Sequence, residues 1–247
     1  MTAGKSDHLW HEMRASQKAV CGFIEDDRLR CCICGRPLRR DDFSLEHIIP
    51  RQAVTDDPIS VKTNMTVSLR SGHILLCRAS LTVKGHRPQG NGCNGWKGSF
   101  YDPLIRKLSD RSILEWRQQE ITEQVCIAAF AVAYLAMVAR FGYQIVFTPA
   151  GVIARKQFLS PTCYLPALPL MSKIILTGLA PLRSKETLNF WSAPFHFRIT
   201  DDRCTVGVRN FSVNIPISRD PRIPVASKLL ATPARFKLRP DFSSVFL

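Results

Sequence analysis

Three short stretches carry residue types whose spacing suits chemistry: Cys31-Cys32-Ile33-Cys34-Gly35, Glu46-His47-Ile48-Ile49-Pro50, and Cys93-Asn94-Gly95-Trp96-Lys97-Gly98. Cys31 and Cys34 stand three apart in a turn relieved by Gly35, the spacing at which one knuckle presents two sulfurs to a tetrahedral zinc ion. Cys93 is the natural third ligand. No cysteine lies three residues before it, so the fourth ligand comes from Cys77 or His86. Cys77 is favoured because it ends the apolar run Ile74-Leu75-Leu76, a strand entering the second knuckle, with Arg78 to Gly92 inserted as a loop. Cys32 is set aside on its spacing to Cys34. Between the knuckles, Phe43 to Pro50 reads as a short strand ended by proline, which places His47 and its near-neutral imidazole at a strand end. Phosphodiester hydrolysis needs such a base to activate water, together with a cation on the phosphate.

These residues resemble the HNH endonuclease family, in the branch where Cys-x-x-Cys-Gly precedes Glu-His-Ile-Ile-Pro. In that branch Cys-Asn-x-x-x-Gly-Ser, with an aspartate shortly after, opens a helix. Here Glu46 to Pro50 is intact, and Cys93-Asn94-Gly95-Trp96-Lys97-Gly98-Ser99-Phe100-Tyr101-Asp102 follows the second half closely. The resemblance implies a ββα-metal fold, two strands and a helix around one catalytic divalent ion, magnesium or manganese. It implies His47 as general base and Asn94 as a ligand of that ion. Glu46, where many relatives carry an aspartate, is a second candidate ligand. Zinc would staple the two knuckles. Lys97, one helical turn after Asn94, is a candidate phosphate contact, as are Lys84 and Arg87 in the inserted loop. One departure stands out: the asparagine that orients the base histidine in relatives is replaced here by Gly72, leaving Ser71 or His73 for that task. Such modules recur in restriction, phage defence and mobile elements, and defence is the first expectation.

Composition agrees with a polyanionic partner. The 34 Lys and Arg against 20 Asp and Glu give a net charge of +14, with +4 over residues 1–105 and +10 over residues 106–247. That excess favours DNA, with RNA not excluded, and makes the second half the stronger electrostatic platform. The rival reading is a zinc-stapled nucleic-acid-binding module without catalysis. A structural zinc core for a protein partner is a third. An activating partner or a homo-oligomer is left open by the sequence.

The elements that must position these residues read as an α+β protein. A zinc-stapled, treble-clef-like ββα-metal module is expected over residues 1–108, followed by a basic helix-plus-antiparallel-sheet domain over 109–247. Leu9 to Phe23 has helical spacing, a helix from Asn94 to Leu108 closes the module, and a second runs from an Asp110 cap to Arg140. The centre of that second helix, Gln124 to Ala139, carries no charge. It is too short to span a bilayer and reads as a core helix, so no membrane association is expected. Tyr143–Thr148, Lys173–Thr177, Phe195–Thr200 and Cys204–Val213 read as strands, Ser160–Pro169 as a connector, and the Pro-rich tail from Ile215 as extended. Ala133-Tyr134-Leu135 and Phe141-Gly142-Tyr143 match runs that accompany this module in relatives. The polar N-terminus lacks an apolar signal core and the nine cysteines suit a reducing compartment, so a cytoplasmic location is expected.

Overall fold

The computed structural model describes residues 2–22, 27–55, 70–83, 89–109, 122–147, 149–160, 174–176, 195–199, 203–208 and 211–216. Helix α1 (Thr2–Cys21) leads to β1 (Arg28–Arg30) and β2 (Pro37–Arg39), which pair antiparallel around the Cys31–Gly35 turn with Leu29 opposite Leu38. A single 3-10 turn (Arg40–Asp42) feeds β3 (Phe43–His47). After the short α2 (Gln52–Thr55), the chain returns as β4 (His73–Cys77), antiparallel to β3 with Phe43 opposite Cys77 and His47 opposite His73. The pairing continues past the strand ends, where Ile48 N–H donates to Gly72 O at 3.1 Å and Ile49 N–H to Ser71 O at 2.9 Å. Successive strand side chains point to opposite faces. Phe43 therefore meets Trp10 of α1 edge-on, ring centroids 5.6 Å apart, while Ser44 turns to the other side and meets Asn94.

That other side is covered by α3 (Gly92–Phe100), which packs on β4, and is followed by α4 (Asp102–Ser109). The single helix expected from Asn94 to Leu108 is thus two helices. Proline fits only the first turn of a helix, because it lacks an N–H and crowds the preceding turn. Pro103 therefore ends α3 at Tyr101, whose N–H donates to Lys97 O at 2.9 Å, and starts α4, whose first turn carries Asp102.

Helix α5 (Glu123–Phe141) is capped by Thr122, whose hydroxyl accepts from Val125 N–H at 3.4 Å; the expected Asp110 cap lies outside the described residues. Every residue from Cys126 to Val138 is buried, so the helix is apolar all round because protein surrounds it. It packs against β4 and α4 on the module side and against later elements beyond it. By length and composition it is the one described helix apolar enough to cross a membrane, and most of it is buried inside the protein. Gly142 ends it at φ 72°, a conformation that needs glycine, and a Cβ there would lie 2.1 Å from Ser16 Oγ. The boundary expected at 108/109 abuts residues 110–121, which are outside the described set.

Beyond Gly142, the structure corrects the expected strand over Tyr143–Thr148. The chain forms a helical turn, α6 (Tyr143–Val146), and then α7 (Pro149–Phe158). Tyr143, Ile145, Val146 and Phe147 are buried and Gln144 is partly so, and four apolar residues around one glutamine are too short a run to separate the strand period from the helical one. The remaining elements form one antiparallel sheet of β5 (Ile174–Leu176), β6 (Phe195–Ile199), β7 (Arg203–Val208) and β8 (Phe211–Pro216), in the order β5-β8-β7-β6. The single strand expected over Cys204–Val213 is a hairpin, with Val208 opposite Phe211. Its inward residues Cys204, Val206, Val208, Phe211 and Val213 are buried, and β7 and β8 pack on α5. Ile215 and Pro216 belong to β8; the rest of the expected tail and most of the Ser160–Pro169 connector lie outside the described residues.

Two tyrosines tie this second set of helices to the first knuckle. Tyr134 of α5 donates to Cys32 O at 2.8 Å, and the Tyr143 hydroxyl of α6 donates to Arg30 O. Removing one partner of a buried hydrogen bond leaves a carbonyl without water or donor, at about 1–3 kcal/mol. Tyr134→Phe should therefore lower the unfolding free energy by about that amount, measured as a shift of the denaturation midpoint.

Candidate metal centre and active site

The sulfurs of Cys31, Cys34 and Cys93 lie within 4.8 Å of one another and all three residues are fully buried. The Cys77 thiol hydrogen-bonds with each of the three, and Cys32, also buried, hydrogen-bonds with Cys31. The first knuckle is a tight turn: Gly35 N–H donates to Cys31 O at 2.9 Å, Cys31 N–H to Arg36 O at 3.0 Å, and Ile33 N–H to Cys31 Sγ at 3.5 Å. Gly35 takes φ 72° there. The second knuckle joins the last residue of β4 to the second residue of α3. It closes on Gly92 at φ 57°, where a Cβ would lie 2.4 Å from Ala79 O and 2.7 Å from Cys77 O, so only glycine lets the two ends approach. The inserted loop is pinched at its base by Leu81 and Gln89, which exchange backbone bonds of 3.0 and 2.7 Å. Arg36 spans both knuckles, with Nε 3.5 Å from Cys34 Sγ, Nη2 3.3 Å from Cys77 Sγ, and Nη2 donating to Ala79 O at 3.1 Å.

The electrostatics of the cluster suit a cation. Hydrogen bonds from Cys31, Cys77 and Cys93 push the Cys34 thiol far down. Burial drives Cys31 and Cys93 well up, and hydrogen bonding with Cys31 does the same to Cys77. Burial opposes several thiolates together unless a positive ion compensates them. The buried Cys31/Cys34/Cys93 cluster can bind a metal such as zinc, with soft ligands in a closed site and N–H donors behind the sulfurs.

On the α3 side of β3, Asn94 donates its amide to Ser44 Oγ at 2.8 Å and is hydrogen-bonded to Glu46. Lys97, on the same face one turn later, is fully buried. Its ammonium lies 2.8 Å from Glu46 Oε1 and 2.6 Å from Asp102 Oδ1. The lysine proposed to touch phosphate from solvent is therefore an interior ion-pair partner. Burial raises the Glu46 carboxyl above its ordinary value, with Lys97 opposing the shift. The Asn94 and Glu46 oxygens are donors of the kind hard divalent cations take.

His47 sits at the end of β3, half-buried, with its ring 4.6 Å from that of His73 across the pair. Burial first, then the charges of Lys97, Arg51 and Lys5, hold its imidazole below the ordinary 6.5, with Asp102 acting the other way. Burial, Lys5 and His47 push His73 down to about 4. Gly72, where the resemblance would lead one to expect an asparagine, has φ +64° and leaves no room for a side chain, since a Cβ would lie 2.5 Å from the Phe195 ring. Ser71 is buried and engages Ile49 through its carbonyl. Lys84, His86 and Arg87 lie outside the described residues. The reading of the sequence missed Arg36, whose signal is its place directly after the first knuckle, and the pairing of Lys97 with Asp102, which has no local signal.

Cys77→Ser should remove most of the bound metal, whereas Cys32→Ser should keep about one zinc per chain, measured by atomic absorption on purified protein. Equal metal content in the two variants would take Cys77 out of the site. Comparison with known families, with curated proteins and with solved structures gives no match to this chain.

Proposed function

We propose that this chain is a metal-dependent endonuclease of the HNH type, acting on DNA, with a zinc ion held by Cys31, Cys34, Cys77 and Cys93. The observation that carries the reading is the antiparallel pair β3–β4 with α3 against it, which brings Glu46 and Asn94 together beside the strand end bearing His47. Two paired strands with a helix against them are elements that a ββα-metal site would use, which supports the reading. Asn94 and Glu46 would hold a magnesium or manganese ion, which supplies positive charge for the scissile phosphate and the leaving oxygen.

His47 does the proton chemistry. With its pKa held below 6.5, a ring nitrogen is free at neutral pH to take a proton from the attacking water. Lys5 and Arg51, two of the charges that act on the ring, place positive potential beside it, which favours a phosphate backbone. The ion pair between Lys97 and Glu46 favours a second reading, a zinc-stapled DNA-binding module without catalysis, because it engages a proposed metal ligand.

Supercoiled plasmid in Mg²⁺ or Mn²⁺ separates the two. Cleavage by the native chain, reduced about 10²–10⁴-fold in His47→Ala with zinc content unchanged, supports the nuclease. Plasmid binding with no cleavage in either metal supports the binding module. The pH profile follows from the sign of the shift: a base whose pKa lies below 6.5 is protonated only in acid. The single-turnover rate should rise with pH to a midpoint below 6.5 and stay flat through neutrality. A midpoint at 7 or above would remove His47 as the base.

A further inference from the structure

Lys97 is fully buried, and two features of its surroundings set its place. It lies three residues after Asn94 on α3, so the two share a helix face. The break forced by Pro103 turns Asp102, at the head of α4, back onto its ammonium. Glu46 supplies the second carboxylate, 2.8 Å away on the other side. Glu46 and Asp102 thus set two carboxyl groups against one amine.

A divalent cation approaching Glu46 and Asn94 meets that ammonium already on the carboxylate. Affinity for hard divalent ions follows the number of negative ligands and the charges beside them. We propose that Lys97 is a resident cation that keeps the Glu46/Asn94 site weak for divalent ions in the free protein, so that the ion is held firmly only with the anionic phosphodiester present. The inference rests on the reading of Glu46 and Asn94 as ligands. Metal occupancy and substrate occupancy become coupled, and the free protein carries no pre-formed reactive centre.

The test is Mn²⁺ binding to the zinc-loaded full chain without nucleic acid, followed by the EPR signal of free Mn²⁺, with circular dichroism and zinc content as folding controls. Lys97→Met leaves the two carboxylates uncompensated and should tighten Mn²⁺ binding by about tenfold or more, whereas Asp102→Asn makes the cluster neutral and should weaken it by a similar factor. Glu46→Gln added to Lys97→Met should abolish the gain. A lysine that serves only to hold the fold would weaken binding in both single variants, and that result, or no change in either, overturns the proposal. If Lys97→Met does not fold, Lys97→Gln, which keeps a hydrogen-bond donor beside both carboxylates, takes its place: tighter Mn²⁺ binding supports the proposal, and unchanged or weaker binding removes it. Native cleavage of plasmid in Mn²⁺ with the wrong order of affinities sinks this inference and leaves the nuclease standing. No Mn²⁺ bound by any variant and no cleavage removes both.

Discussion

The convergence of four buried thiols is the constraint on which the rest of this structure hangs. Cys31 and Cys34 come from a turn, Cys77 from the end of β4 and Cys93 from the start of α3, so bringing their sulfurs together fixes where the β3–β4 pair and α3 meet. The backbone conforms to that demand at Gly35 and Gly92, both at positive φ. At Gly92 the approach to the carbonyls of Cys77 and Ala79 leaves no room for a side chain. Arg36, with its guanidinium on a sulfur from each half, adds a polar strap across the same joint and balances charge that burial otherwise opposes.

Once α3 is anchored by Cys93, the residues that follow are placed by helical geometry alone. Asn94 comes next to Ser44 and Glu46, and Lys97 falls one turn on, between Glu46 and Asp102. The face of β3 that bears Glu46 is thus a closed polar network, while His47 stands at the strand end with His73 as its ring neighbour. Burial and the cations around the histidine agree in sign and hold its imidazole below the ordinary value, with Asp102 acting the other way.

The elements after α4 support the knuckle as well as their own sheet. Tyr134 and Tyr143 reach back to the carbonyls of Cys32 and Arg30, and Trp96 of α3 donates its indole N–H to Phe158 O at 2.8 Å. The Ala-Tyr-Leu and Phe-Gly-Tyr runs therefore have a physical role in this chain: each tyrosine donates its hydroxyl to a backbone carbonyl in or beside the tight cysteine turn. Gly142 between them turns the chain so that Tyr143 N–H meets Ser16 Oγ at 2.9 Å.

The sequence by itself determined the features whose physics is local. Cysteines three apart beside a glycine, the strand-like stretch from Phe43 to Pro50, the apolar run Ile74-Leu75-Leu76, and a charge-free stretch from Gln124 to Ala139 each state their structure within a few residues. It failed where the local pattern is degenerate: a short, mostly apolar run from Tyr143 to Phe147 reads equally as strand or helix, and a hairpin joined by two residues reads as one long strand. Only the tertiary structure decided that Lys97 is an interior ion-pair partner and not a surface contact. Its carboxylate on β3 is 51 residues away along the chain, and the cost of burying an ammonium is met only by partners that folding brings to it.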